Sequence, residues 1–560
     1  MKKIIFVSIL FLLASCETHE KTESVTAKQP AAIATAHPLA TSAGEEILAA
    51  GGNAFDAAVA VTAALAVVEP YSSGIGGGGF WLLHREKDNF QIMIDGRERA
   101  PLNAHRDMYL DENGQLIKGA SINGAISAGI PGVPAAMGHL AEKYGRLSLS
   151  QNLQPAIRYA KNGFAVDEHY QRMAGFRLKV LQSFVSSAQI FLQNNKVPEK
   201  GFIIKQPDLA NTLSLIARNG GDGFYKGELA ERMIAGVRQA KGIWTLEDLE
   251  KYKIIEREPI RGQYKNMSII SAAPPSSGGI ALAEIFNQLS AYPLTKINKM
   301  QRTHFIVEAM RRAYRDRAEF LGDTDFVSVP VKQLISKDYA AGLISTIHPQ
   351  TATPSKILPG ILKPEQGRDT THFSIMDHEG NRVSATLSIN YPFGSCFVAP
   401  GTGVLLNDEM DDFSAKPGEP NVYGLVGAEA NAIEPGKRML SSMSPTFLET
   451  ENRIAIIGTP GGSRIITMVL LGSLAFHEGA SASDIVNLPR FHHQYLPDKI
   501  FYESDALTNL TASKLAAMGH KLSASDDTWG NMQLVIWNKQ KKIMDAASDA
   551  RGLGSAKVLH

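Results

Sequence analysis

The sequence predicts a mixed α/β fold of the α+β kind, on three observations. A nearly all-apolar helical run at 54–68 is soon followed by a glycine cluster and the strand-like Phe80-Trp81-Leu82-Leu83. Residues 140–350 read mostly as helix, punctuated at Asn162-Gly163, Asn219-Gly220-Gly221 and Ala273-Pro274-Pro275-Ser276-Ser277-Gly278-Gly279. From Asp369 onward the pattern changes to alternating strands. With 560 residues, 44% of them hydrophobic, the chain can bury a sizeable core and is too apolar for wholesale disorder. The 57 Lys+Arg balance 56 Asp+Glu, so charge gives no reason to expect a nucleic-acid partner. Two cysteines exclude a disulfide framework and any Cys-rich metal site.

The chain opens on the basic Met1-Lys2-Lys3, then an apolar run from Ile4 to Ala14. That run is short of the ~20 residues a bilayer span needs but suits the core of a signal peptide, residues 1–15. Leu13-Ala14-Ser15-Cys16 resembles the bacterial lipobox, which implies lipidation of Cys16 and a membrane-anchored, periplasm-facing protein; plain secretion is the alternative. Residues 16–30 are polar and read as a flexible tether. No later segment is apolar for long enough to span a membrane.

From about Ala31 the pattern becomes globular. Leu39 to Ala50 reads as a helix stopped by Gly51-Gly52; Asn53 caps the next, Ala54 to Val68, which Glu69-Pro70 ends. The second helix is apolar on nearly every face and is expected to be fully buried. Gly74-Ile75-Gly76-Gly77-Gly78-Gly79 matches G-x-G-x-x-G literally, but in the order helix, glycines, strand, the reverse of a dinucleotide site. Close backbone approach is the better reading, and no Walker lysine follows any glycine run. No cofactor is implied. Thr351 to Arg368 is Pro/Gly/Lys-rich and reads as an exposed linker.

The hairpin after this linker carries the chemistry. Its first strand starts Thr370-Thr371-His372-Phe373-Ser374; its second places Val383, Ala385, Leu387 and Ile389 on one face and Ser384, Thr386, Ser388 and Asn390 on the other. Taken alone, the hydroxyl face could equally be solvated.

Thr370-Thr371-His372-Phe373-Ser374, Leu406-Asn407-Asp408-Glu409-Met410-Asp411-Asp412-Phe413, Ser441-Ser442-Met443-Ser444-Pro445-Thr446, Gly458-Thr459-Pro460-Gly461-Gly462-Ser463-Arg464 and Pro489-Arg490-Phe491-His492-His493-Gln494 together resemble the γ-glutamyltranspeptidases. Gly51-Gly52-Asn53-Ala54-Phe55-Asp56-Ala57-Ala58, Arg97-Glu98-Arg99-Ala100-Pro101 and Gly129-Ile130-Pro131-Gly132 extend the likeness, which runs from about residue 30 to 551. The resemblance implies an N-terminal-nucleophile hydrolase, a four-layer αββα sandwich, and self-cleavage between Asp369 and Thr370. A large subunit, 31–369, and a small one, 370–560, would remain associated as a heterodimer.

The resemblance also implies roles. Thr370 would be the nucleophile, its freed α-amine (pKa ~8) the base, since a threonine hydroxyl attacks only when deprotonated. Ser388 stands where the family usually carries a supporting threonine. Gly461 and Gly462 would form the oxyanion hole, although two glycines could simply mark a turn. Arg97, Ser441 and Ser442 would hold the α-carboxylate of a γ-glutamyl substrate such as glutathione, and Asn390, Glu409 and Asp412 its α-ammonium. Without the resemblance, the acids of residues 408–412 could be a solvated turn or a loose calcium site. Ala415 to Ala432 looks like the family's lid loop, with Tyr423 as cover. His372, the adjacent His492-His493 and Cys396 read as structural, with no metal among them. Alternatives to γ-glutamyl transfer to water, amino acids or peptides are a family acylase acting on a glutaryl amide, and a non-catalytic solute-binding lipoprotein.

Overall fold

The computed structural model describes residues 29–358 and 370–560. Residues 1–28 and 359–369 lie outside it, and with them the expectations placed on the signal peptide, Cys16 and Asp369.

The buried helix runs from Ala54 to Val68, as its sequence predicts. Asn53 Oδ1 accepts the N–H groups of Phe55 and Asp56, and Asp56 Oδ2 accepts that of Asn53, closing a reciprocal cap. All fifteen of its residues are buried, because the helix lies between a sheet and the helices Pro38–Ala49 and Leu149–Asn162.

That sheet has seven strands in the spatial order Ser555–Leu559, Ala31–Thr35, Thr371–Met376, Arg382–Ser388, Gly78–Arg85, Phe90–Gly96, Ile255–Arg257, every neighbouring pair antiparallel. A second antiparallel sheet orders Ile543–Ser548, Gln533–Asn538, Arg453–Gly458, Thr446–Glu449, Met267–Ser271, Ile260–Tyr264. Strand alternation divides the first sheet between two cores. Ile33, Trp81, Leu83, Phe373 and Ile375 face the helices named above. Ala32, Ala34, Phe80 and Leu82 face the second sheet, whose core also takes in the helices Gly278–Leu289, Lys299–Phe320 and Ile465–His477. Helices, sheet, sheet and helices make the expected four layers. The two sides of residue 369 interleave in both sheets: Thr371–Met376 pairs with Ala31–Thr35, and Thr446–Glu449 with Met267–Ser271.

Two expectations need correction, and one alternative falls. The 140–350 region is less uniformly helical than its sequence suggests, since Ile260–Tyr264 and Met267–Ser271 form an edge hairpin turned by Lys265 at φ 52°. Its apolar positions are too few for a clear period of two; tertiary pairing supplies the rest. The start of the supposed exposed linker is anchored: Ala352, Thr353 and Ser355 are buried, and Ser355 donates its N–H to Asp498 and its hydroxyl to the Tyr495 carbonyl. The acids of 408–412 are not a solvated turn; Asp408, Glu409 and Asp411 are buried. Among the described residues no helix is long and apolar enough to cross a membrane.

The glycine run is a place of close approach, as expected. A Cβ on Gly76 would sit 2.1 Å from the Leu405 carbonyl oxygen, and one on Gly77 2.2 Å from that of Ser388. The run therefore lets the strand carrying Ser388 pass directly against it.

Candidate active site

Thr370, 6% exposed, immediately precedes the strand Thr371–Met376 near the middle of the first sheet. The hydroxyl face of the hairpin is not solvated; it faces the second sheet. Ser384 Oγ donates to the Ile457 carbonyl and Ser374 Oγ to that of Gln533. His372 lies between Thr386 Oγ1 at 2.8 Å and Ser374 Oγ at 3.2 Å, and burial pushes its pKa down to about 3. It is a neutral, structural imidazole. Further along, Ser388 Oγ accepts the Asn390 N–H at 2.8 Å, which helps hold Asn390 at φ 75°.

The charged groups converge on Arg97, itself 1% exposed. Its Nη1 lies 2.9 Å from Glu409 Oε1 and its Nη2 2.5 Å from Asp412 Oδ2. Burial opposes the arginine's charge, but Glu409, Asp412 and Glu98 outweigh it and raise the pKa. Burial pushes Glu409 up to about 7 against the pull of Arg97, and raises Asp412 likewise. The other two acids brace the backbone. Asp408 Oδ1 accepts the Tyr391 N–H, while Asp411 takes the Ser121 hydroxyl and the Val422 N–H.

Ser441 and Ser442 arrive beside this array on the segment before Thr446–Glu449, and Ser441 Oγ accepts the Met443 N–H. Ser442 Oγ accepts from Arg317 Nη2 at 3.2 Å, and Arg317 Nε reaches Ser277 Oγ at 3.0 Å. Arg317 is a second buried site cation that the sequence reading missed. Its helix, Lys299–Phe320, carries several arginines, of which Arg311 and Arg312 are buried too, and nothing local distinguishes the one that reaches this site. Glu98 and Asn421 were also missed. Glu98, fully buried 3.6 Å from Arg97, has its pKa raised well above its ordinary value by burial and by Glu409, against the pull of Arg97. Asn421 Nδ2 donates to Asp412 Oδ1.

Gly461 at φ 139° and Gly462 at φ 55° both use backbone conformations that favour glycine. Tyr423 lies against Gly462: a Cβ there would meet its ring at 2.4 Å, and its hydroxyl donates to the Asn390 carbonyl at 2.5 Å. Thr370, Ser388, Asn390, Arg97, Asp412, Ser441, Ser442, Tyr423 and Gly462 thus line one cavity of about 20 Å³, room for a water-sized occupant. Glu409 adjoins it through Arg97, and Gly461 lines a second cavity of about 550 Å³ that also includes Thr370.

The remaining candidates take structural places. His492 bonds Thr467 Oγ1 and Gln494, while His493 bonds Asp498, so the adjacent pair diverges. Cys396 is fully buried, and burial pushes its thiol up to about 11, unreactive at neutral pH. Among the described residues, His304, Glu308 and His520 lie close enough to share a metal ion. Glu308 already pairs with Arg311 and Arg312, which opposes a further cation there.

A threonine at the head of a sandwich strand thus shares one cavity with a buried arginine that is paired with two acids. The gamma-glutamyltranspeptidase family model matches residues 40–559. The chain is 43% identical over 533 residues to a glutathione hydrolase proenzyme of Pseudomonas sp. strain A14, covering 93% of this chain and 92% of that protein. It is 41% identical to the glutathione hydrolase proenzyme of Escherichia coli K12, covering 93% and 90%. Among solved structures, the cephalosporin acylase of Bacillus halodurans superposes with a TM-score of 0.83 at 28% identity, covering 95% of this chain and 96% of that one. The chain belongs to the γ-glutamyltranspeptidase family.

Proposed function

We propose that the chain cuts itself between Asp369 and Thr370, and that Thr370 then takes the γ-glutamyl group of glutathione and related amides as an ester, passing it to water or to an amino acid or peptide. Cleavage turns the Thr370 nitrogen from an amide into an amine, the base its own hydroxyl needs. Attack of Oγ on the γ-carbonyl forms a tetrahedral oxyanion, for which the backbone at Gly461 and Gly462 is the candidate hole. The amine gives its proton to the departing nitrogen, leaving the ester for the second step. Splitting one amide transfer into two acyl steps predicts ping-pong kinetics.

The observation that carries this reading is the paired charge array. Arg97 with Ser441, Ser442 and Arg317 behind them suits an α-carboxylate; Glu409, Asp412 and Asn390 suit an α-ammonium. A glutaryl amide has no ammonium and would leave the acids with Arg97 alone. The acylase neighbour keeps that reading in view, and turnover of a γ-glutamyl anilide decides it. Glu409→Ala should abolish turnover much as Thr370→Ala does, whereas retained activity in Glu409→Ala would overturn the glutamyl assignment. Interleaving of both sheets supports a heterodimer that persists after the cut. A denaturing gel should show two fragments for the wild type and one for Thr370→Ala.

Export and lipidation at Cys16 rest on the leader alone. Metabolic labelling with a fatty acid should mark the large fragment and be lost in Cys16→Ser; an unlabelled wild-type protein would point to plain secretion.

A further inference from the structure

Thr370 contributes to the walls of two cavities, and the reading above uses only one. The smaller holds the charged array for the glutamyl end. The larger, about 550 Å³, has Glu69, Tyr71, Arg172, Arg464 and Trp529 among its lining residues. The charged groups suited to the glutamyl end all lie on the smaller side, and the larger is the other space that Thr370 opens onto. The amine that leaves Thr370's acyl group, and the amine that arrives to take it, therefore belong to the larger.

That cavity contains one buried carboxylate. Glu69, 4% exposed, caps the end of the helix Ala54–Val68, and its Oε2 accepts a hydrogen bond from Thr371 Oγ1 at 2.7 Å, one residue from the proposed nucleophile. The acid Asp527 also lines the cavity but is exposed. Arg464, stacked 4.4 Å from the Trp529 ring, and Arg172 supply positive charge. A carboxylate beside the reacting threonine, in a cavity that also holds arginines, matches the ammonium and carboxylate of an amino acid or short peptide.

We propose that this cavity is the acceptor subsite and that Glu69 is its amine-recognising carboxylate, binding the acceptor ammonium and taking one proton from it. This inference rests on the acyl-transfer reading above. The steps balance. The acceptor ammonium gives a proton to the Glu69 carboxylate and becomes a neutral amine. Its nitrogen attacks the γ-glutamyl ester, the new C–N bond forms, and its second proton passes to the Thr370 α-amine. The C–O bond to Thr370 then breaks, and the α-ammonium returns that proton to Oγ. Glu69 releases its own proton to solvent.

The surroundings of Glu69 suit such an exchange. Burial raises its pKa to about 7; hydrogen bonds from Thr371 and Tyr71 oppose the rise and the nearby Asp167 adds to it. Arg172 is the cation on the neighbouring helix that lines the same cavity.

The test uses the matured enzyme with γ-glutamyl-p-nitroanilide as donor, in the absence and presence of glycylglycine. In Glu69→Gln, which keeps an oxygen for the Thr371 hydroxyl, the ratio of transfer to hydrolysis should fall by about tenfold or more, with a raised acceptor KM. Glu69→Asp should recover part of that ratio, and it stands in if the Gln variant does not mature. An unchanged ratio, whether both rates fall together or neither does, would overturn the proposal. A wild-type enzyme that does not release nitroaniline would overturn the acyl-transfer reading itself, a distinguishable failure.

Discussion

Arg97 and Glu409 meet at 2.9 Å with about 1% of each side chain exposed, so the strongest charges of the site are held out of water by one another. A buried ion pair adds little net stability, but removing one member strands the other. On the function proposed above, each partner would exchange part of its interaction for one end of the zwitterionic substrate.

Arg97→Lys should therefore fail although it conserves charge. Lysine cannot span Glu409 and Asp412 as the guanidinium fork does. The expected result is a loss in kcat/KM for the anilide donor worth about 2–3 kcal/mol, mostly through KM, with self-cleavage retained on a gel.

Tyr423 lines the small cavity together with Gly462, where the family's lid loop is expected. Tyr423→Phe removes the hydrogen bond to the Asn390 carbonyl but keeps the ring. It should alter kcat/KM by only about 1 kcal/mol. Gly462→Ala, by contrast, drives a methyl into the Tyr423 ring at a positive φ and should abolish turnover. Steady-state kinetics on the two variants separates loop closure from backbone geometry.

Glu69 gives stability a definite pH slope. Its pKa is about 7 in the folded protein against an ordinary 4.5. Between those values the folded state keeps a proton that the unfolded chain has released. Stability contributed by this group is therefore full below about pH 4.5, falls as pH rises, and levels off above about pH 7. The shift corresponds to roughly 3 kcal/mol. Glu69→Gln should flatten that part of the thermal-unfolding profile between pH 4.5 and 8, measured by calorimetry.

Asp498 ties the last described stretch before residue 359 to the C-terminal half. It pairs with buried Arg311, accepts the Ser355 N–H, and is bonded by His493. Asp498→Ala should cost on the order of 2–4 kcal/mol, because Arg311 loses its closest counter-charge. Ser355→Ala should cost about 1 kcal/mol. Chemical denaturation of the matured protein checks both.

The amino-acid sequence alone determined the local elements with strong signals. Asn53, an unbroken apolar run and Glu69-Pro70 delimit the buried helix to the residue, because caps and breakers act over three or four positions. The period of two in Val383 to Asn390 likewise settled which side chains share a face, and the resemblance carried by the ordered motifs pointed to Thr370, Arg97, Ser441, Ser442, Glu409 and Asp412.

What only the tertiary structure decided is what those faces meet. The hydroxyl face could have looked onto water; it lies against a second sheet instead. Four neighbouring acids look alike in sequence, yet two bind Arg97 and two brace backbone, because a short helical turn at Glu409–Asp412 points them in different directions. Arg317 and Glu69 gave no local signal. Their importance comes from chain segments far apart in sequence converging on Thr370, and no window of adjacent residues contains that information.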